Sequence, residues 1–279
     1  MEVLVKDIVA LGATRLKEAG IAENQIDSWL LAESICDISR QDIFLEPNKG
    51  ISEEMAQKYL DAVTVRAKHI PLQHIIGYQQ FMDFEFKVNE NVLIPRPETE
   101  LLVEQVVSYI KDSSVKVLDM CTGSGCIAIS IDKMCANATV TAVDISNKAL
   151  EVAQENNENN QGRVTFVQSD LFENINETYD IIVSNPPYIP TSDIDTLMEE
   201  VRDHEPHLAL DGSDDGLKFY RAICKQSIDY LNKNGKIFFE IGYDQGKTVP
   251  ALLRENGFSD TQVLKDLSGN DRMVIAGKE

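Results

Sequence analysis

Val115-Lys116-Val117-Leu118-Asp119-Met120-Cys121-Thr122-Gly123-Ser124-Gly125-Cys126-Ile127-Ala128 changes its hydrophobic period part-way along. β-Branched residues lead into a glycine turn, and helical spacing then begins at Ile127, Ile131 and Met134, which predicts a strand, a loop and a helix start. Glycine lets a ligand approach the backbone closely, and the free N–H groups of a helix start act as donors there. A second strand, Ala138 to Val143, ends in Asp144, an acid placed to accept both hydroxyls of a ribose. The pair Gly123-x-Gly125-x-x-Ala128 and Asp144 therefore predicts a site for an adenosine-bearing cofactor, with a dinucleotide and S-adenosylmethionine both compatible.

Tyr179-Asp180-Ile181-Ile182-Val183-Ser184-Asn185-Pro186-Pro187-Tyr188 decides between them. An apolar strand that meets two prolines cannot extend its ladder, because proline lacks the N–H and fixes φ. Asn185 and the carbonyls after it are left at the strand tip, facing a cleft. A flat group bearing –NH2 suits that tip: Asn185 Oδ1 and the Pro186 carbonyl are acceptors for two N–H bonds, and Tyr188 offers a ring for stacking. A dehydrogenase has no use for such an acceptor pair, whereas an enzyme that methylates a nitrogen does. In S-adenosylmethionine enzymes the loop runs from an acid at the strand end into Gly-x-Gly-x-Gly; here Asp119, Cys121, Gly123 and Gly125 hold those places, with cysteine in place of the first glycine.

Outward from these motifs, strands are expected near 115, 139, 164, 179, 236, 261 and 272, alternating with helical stretches near 126, 147, 217 and 245 and preceded by a helix over 99–110. That alternation predicts an α/β domain with a mainly parallel sheet covered on both faces. Ligands then sit beyond the carboxyl ends of the first, second and fourth strands. After the third strand, Asp170 is a candidate acceptor for the adenine amino group and Leu171 its apolar wall, while Phe172 is either wall or core.

Residues 1–72 read as a small helical bundle. Its apolar positions are Val5, Ile8, Val9 and Leu16, then Ile26, Trp29 and Leu30, then Met55, Tyr59, Ala62 and Val63 after a Ser52 cap. Residues 73–97 form the link, with Phe84, Phe86 and Val88 alternating as in a hairpin, and 98–279 form the cofactor domain.

Net charge is −20, and residues 1–80 hold 12 acids against 8 bases, so most of the excess lies on the part bearing the chemistry. Nucleic-acid binding draws on a basic stripe, and no Lys/Arg cluster adjoins the candidate site, so a protein substrate is favoured over DNA or RNA. Cysteines 36, 121, 126, 135 and 224 form no C-x-x-C pair, so neither a disulfide framework nor a metal site is expected. Without an apolar run of about 18 residues or a signal peptide, the expected location is the cytoplasm, away from membranes.

Several blocks together resemble a known family, the release factor glutamine methyltransferases of the PrmC or HemK type. They are His69-Ile70-Pro71-Leu72-Gln73-His74-Ile75-Ile76-Gly77, Leu93-Ile94-Pro95-Arg96-Pro97-Glu98-Thr99-Glu100, Asn185 to Tyr188, Glu205-Pro206-His207-Leu208-Ala209-Leu210, Glu240-Ile241-Gly242 and Asp271-Arg272-Met273. The resemblance implies a Rossmann-like class I methyltransferase fold with seven strands, the last antiparallel. It implies S-adenosylmethionine as cofactor, held by Asp119, Cys121, Thr122, Gly123, Ser124, Gly125, Asp144, Ile145, Asp170, Leu171 and Asn185. The implied substrate is the glutamine of a Gly-Gly-Gln loop in a peptide-chain release factor, bound by Asn185, Pro186, Pro187, Tyr188 and Arg96. Asn185, Pro186 and Tyr188 are the expected catalytic group, and the helical domain would recognise the folded factor. The rival readings are a methyltransferase for exocyclic amines of DNA or RNA, which shares Asn-Pro-Pro-Tyr, and a non-catalytic cofactor-binding protein.

Overall fold

Strands without polar alternation are covered on both faces, and the runs Val117–Met120 and Ile181–Ser184 are buried throughout. In the computed structural model, which describes residues 2–279, they lie at the middle of one sheet. Its strands are β1 (Val115–Met120), β2 (Ala138–Asp144), β3 (Thr165–Gln168), β4 (Tyr179–Ser184), β5 (Leu231–Glu240), β6 (Ser259–Lys265) and β7 (Asp271–Gly277), in the order β6-β7-β5-β4-β1-β2-β3. β1 through β5 pair in parallel, as the alternation of strands and helices predicts, and β7 runs antiparallel between β5 and β6, as the family resemblance implies. The order reverses at β1, whose neighbours are β2 on one side and β4 on the other. A crevice at the carboxyl ends follows from that reversal, since the helices leaving β1 and β4 depart to opposite faces.

Successive side chains of β1 feed two cores. Val117 packs with Leu102, Val106, Ile127 and Ile131 from the helices Pro97–Ile110 and Cys126–Met134. Leu118 and Met120 pack on the other face with Tyr220, Ile223 and Leu253 from Lys218–Tyr230 and Thr248–Glu255. Phe172 joins this second core and stacks on Tyr230 with ring centroids 4.6 Å apart. Val88, Val92 and Ile94 pack against Ala149 and Val152 of the helix Asn147–Asn159. Asn156 on that helix hydrogen-bonds both the Lys87 backbone and the Ser124 carbonyl, which ties residues 87–94 to the glycine loop.

The chain divides into two compact units, one comprising Gln79–Leu197 with Glu205–Glu279, the other Met198–His204 with the described part of Met1–Tyr78. The hairpin occupies Tyr78–Phe81 and Phe84–Lys87; ahead of it Leu72–Ile76 is a short helix, because Leu72 is buried with the helical core and Gly77 caps the turn at φ 90°. The helical unit is built from Val5–Glu18, Asn24–Cys36, Arg40–Leu45 and Glu53–Arg66, the last capped by the Ser52 hydroxyl accepting from Met55 N.

One helix turns differently from its apolar pattern. Ile26 is 47% exposed and Trp29 only partly covered, while Ser28, Leu31 and Ala32 face inward. The polar residues win the interior because they have partners. Ser28 Oγ donates to the Val9 carbonyl and meets Tyr59 Oη at 2.6 Å, and Asp27 accepts from Arg66 Nε at 2.7 Å. Arg66 also reaches Glu200 of the same unit, 2.9 Å away. The Tyr59 hydroxyl needs a residue without Cβ beside it, since a Cβ on Gly12 would fall 2.0 Å from that oxygen. Gly12→Ala should therefore destabilise this unit by about 1–3 kcal/mol, the usual range for overpacking. Urea unfolding checks it, and Tyr59→Phe in the same background should recover part of the loss.

Candidate active site

The ends of β1, β2, β3 and β4 open into one cavity of about 480 Å³, within the usual range for small-molecule sites. Cys121, Thr122, Gly123 and Ser124 line it from the β1 loop, Asp144 and Ile145 from β2, Asp170 and Leu171 from β3, and Asn185 and Pro187 from β4. Arg96 and Thr99 line it from the start of the Pro97–Ile110 helix. Met120 and Ser184 sit in register across β1 and β4, and Ser184 Oγ donates to the Met120 carbonyl at 2.6 Å. That bond joins the two strand tips from which the loop and Asn185 depart.

Four expected residues stand behind this wall. Asp119 is fully buried and holds the loop from beneath, its Oδ2 accepting from Thr122 Oγ1 at 2.5 Å. Gly125, at φ 81°, begins the helix and packs beside Ala153, where a Cβ would come within 3.1 Å of its neighbour. Pro186 is buried. Tyr188 is half-buried against the second core, its carbonyl accepts from Gln245 Nε2 at 3.1 Å, and its phenol lies among the charges of Glu240, Arg272, Arg96 and Glu98. Burial pushes that phenol well above its ordinary range.

Gly123, at φ 55°, would carry a Cβ into open space, so the loop backbone there lies open to a ligand. Asp144 fixes the loop: Oδ2 accepts from Gly123 N and Oδ1 from Ser146 N, each at 2.9 Å. Burial raises the Asp144 carboxyl above its ordinary value and raises Asp119 further, to about 7, against the lowering effect of their hydrogen bonds. Cys121 adopts φ 64°, the left-handed conformation usually taken by glycine, and burial holds its thiol neutral. Arg96 donates to Glu205 Oε1 at 2.5 Å, with the Glu205 side chain almost wholly covered.

The motif reading passed over Lys218, Phe219, Ala222 and Gln226, which present one face of the Lys218–Tyr230 helix to the cavity. Their spacing was the available signal, but it has the same period as the neighbouring stripe this helix buries at Tyr220, Ile223, Cys224 and Ser227, and that apolar stripe dominates the pattern. Pro206, Leu208 and Ala209 also line the cavity, a role the Glu205–Leu210 block did not disclose.

A family model described as the methyltransferase small domain matches residues 97–213, and one described as the PrmC N-terminal domain matches residues 7–77. A release factor glutamine methyltransferase of Clostridium botulinum is 42% identical over 281 residues, covering 99% of each chain. The chain belongs to the release factor glutamine methyltransferase family. A relative of the same description from Caulobacter vibrioides is 40% identical over 95% of this chain and 93% of its own. Among solved structures, a methyltransferase from Pyrococcus furiosus matches with a TM-score of 0.55 at 18% identity, covering 81% of this chain and 99% of its own, a likeness of fold. This family member thus places a class I methyltransferase sheet under the cavity. No described helix is long and apolar enough to cross a membrane.

Two predictions concern the loop. Left-handed backbone costs a non-glycine residue roughly 1–2 kcal/mol, and glycine adds a smaller entropic cost in the unfolded chain. Cys121→Gly should therefore shift stability by less than about 1 kcal/mol, whereas Cys121→Val, β-branched at positive φ, should lose about 1–3 kcal/mol in thermal melts. The second is a pH dependence. The unfolded chain releases the Asp119 proton near 3.8 and the folded chain near 7, so between those values the fold holds the extra proton. Stability of the ligand-free protein should fall as pH rises from about 4 to about 7, and Asp119→Asn should flatten the slope measured by calorimetry at stepped pH.

Proposed function

We propose that this cavity binds S-adenosylmethionine and that the protein methylates the side-chain amide nitrogen of the glutamine in the Gly-Gly-Gln loop of peptide-chain release factors. The observation carrying this reading is the Asn185 carboxamide, standing at the tip of β4 in the wall of a cavity that the open Gly123 backbone also lines. Named relatives that match almost end to end support the choice of substrate over a nucleic-acid amine.

The residues present suit the cofactor. Exposed loop backbone at Gly123 admits close approach, Asp144 accepts from ribose hydroxyls, Asp170 and the Leu171 and Ile145 side chains flank the base, and the surrounding acids favour a cationic ligand. Asp119, Thr122, Ser124 and Gly125 shape that loop, and Cys121 fills its first turn. When bound, S-adenosylmethionine supplies an activated sulfonium methyl group.

An amide nitrogen is a poor nucleophile because its lone pair is delocalised into the carbonyl, the resonance behind a rotation barrier of about 18–20 kcal/mol in peptides. Asn185 Oδ1 accepts one of its N–H bonds and so orients the lone pair away from itself. Pro187 forms the apolar wall beside it. Pro186 and Tyr188, set behind the wall, pack the turn that presents this acceptor, and Arg96, held by Glu205, borders the entry for the peptide. Fixing the amide and excluding water supply the acceleration. The methylated nitrogen carries an extra proton, acidic enough to pass to water without a dedicated base.

With S-adenosylmethionine carrying a labelled methyl group and a class-one release factor, Asn185→Ala should lose at least about 10²-fold in kcat and keep its cofactor affinity. Asp144→Ala should do the reverse, weakening cofactor binding by roughly 1–3 kcal/mol. Label recovered in RNA or DNA in place of the factor would refute the substrate, and equal loss of cofactor binding in Asn185→Ala would move that residue to the cofactor.

A further inference from the structure

Behind Asn185 lies a buried chain of hydrogen bonds for which the reaction as described has no use. Thr99, the third residue of the Pro97–Ile110 helix, donates its hydroxyl to Glu240 Oε2 at 2.6 Å and accepts from Asn185 Nδ2 at 3.3 Å. Thr99 and Glu240 are both buried. Glu240 ends β5, paired with Met273 of β7, and its carbonyl accepts from Tyr220 Oη at 2.7 Å, so its backbone is held from two sides.

We propose that Glu240 and Thr99 are positioning residues that lock the Asn185 carboxamide in one of its two orientations, the one that turns Oδ1 to the substrate. The proposal rests on the reading of Asn185 as the grip on the substrate amide. A carboxamide rotated by half a turn looks alike in shape but exchanges acceptor for donor. A carboxylate accepts only, so the single Thr99 hydrogen goes to Glu240. Thr99 then has only lone pairs to offer Asn185, and the Asn185 NH2 must face it. Oδ1 is thereby left for the incoming N–H. Should the Thr99 hydrogen be released from Glu240, it would be free to point at Oδ1, and the turned amide would confront the substrate NH2 with its own NH2. The relay therefore selects for a nitrogen donor at the reacting position and against a bare oxygen acceptor. Hydrogen bonds in series also reinforce one another in a buried setting, so the Glu240 charge strengthens Oδ1 as an acceptor.

Burial raises the Glu240 carboxyl to about 7, with Thr99, Arg272 and Asn185 pulling it down and Glu98 pushing it up. The other titratable neighbours are Tyr188, Tyr220 and Cys126, all kept neutral by burial. A protonated Glu240 can donate to Thr99 Oγ1, which frees the Thr99 hydrogen. An acid limb in kcat follows.

The test uses the full chain, a labelled methyl donor and a class-one release factor. Thr99→Val should lower kcat by about 10- to 10²-fold, the scale of a misplaced reacting group, with cofactor affinity by calorimetry within about twofold of wild type. Thr99→Ser, which restores the hydroxyl, should recover at least half of that loss on a logarithmic scale. Glu240→Gln should lose the acid limb near pH 7. In an Asn185→Ala background, Thr99→Val should add almost nothing, since both act through one group. A Thr99→Ser as impaired as Thr99→Val, additive losses in the double variant, or a wild-type acid limb in Glu240→Gln would overturn the relay. If Asn185→Ala itself turns over like wild type, the grip on the substrate amide fails instead, and the two failures are told apart.

Discussion

The parallel pairing of β4 against β1 is the constraint from which the site follows. Met120 lies opposite Ser184, and the Ser184 hydroxyl closes on the Met120 carbonyl. A slip of one residue would turn every side chain of β4 to the other face, taking Ile181 and Val183 from one core and Ile182 from the other. It would also move Asn185 away from the glycine loop. The apolar content of both strands therefore fixes the register, and the register fixes the distance between the glycine loop and Asn185. The prolines then stop the ladder directly after that residue.

The second constraint is the cost of burying charge. Asp119 and Glu240 are enclosed and held near neutrality in pH, and each is given a hydroxyl partner, Thr122 in one case and Thr99 in the other. A buried carboxylate without such partners would cost several kcal/mol, so these threonines belong to the fold as well as to the site. Their placement also explains an asymmetry in the cavity wall. Asp119 and Glu240 stand behind it, whereas Asp144 and Asp170 stand in it.

Strong local signals were legible in the sequence. The switch from strand to helix around Gly123 and Gly125 and the stop at Pro186-Pro187 rest on short-range chemistry that a linear reading can follow, whereas the antiparallel last strand was expected from the family resemblance alone. The face of the Asn24–Cys36 helix was not legible, because Asp27 and Ser28 enter the interior only through partners far along the chain, Arg66 and Tyr59. The same reason hid the link between Thr99 and Glu240, which are 141 residues apart. Tyr188 illustrates the converse. Its place in the motif marks it for stacking in the cleft, yet the turn after Pro187 directs its ring toward the core and its carbonyl to Gln245.

The cavity's electrostatics connect these points to the chemistry. Burial has raised both Asp119 and Asp144, so the loop without a ligand carries carboxyl groups whose ionised forms are disfavoured. A ligand with a formal positive charge relieves that penalty by favouring the carboxylate, whereas an anionic dinucleotide would deepen it. On the proposed function, the loop acids suit the positive charge of the methyl donor and the Asn185 tip suits the N–H groups of the acceptor, two separate demands met within one cavity.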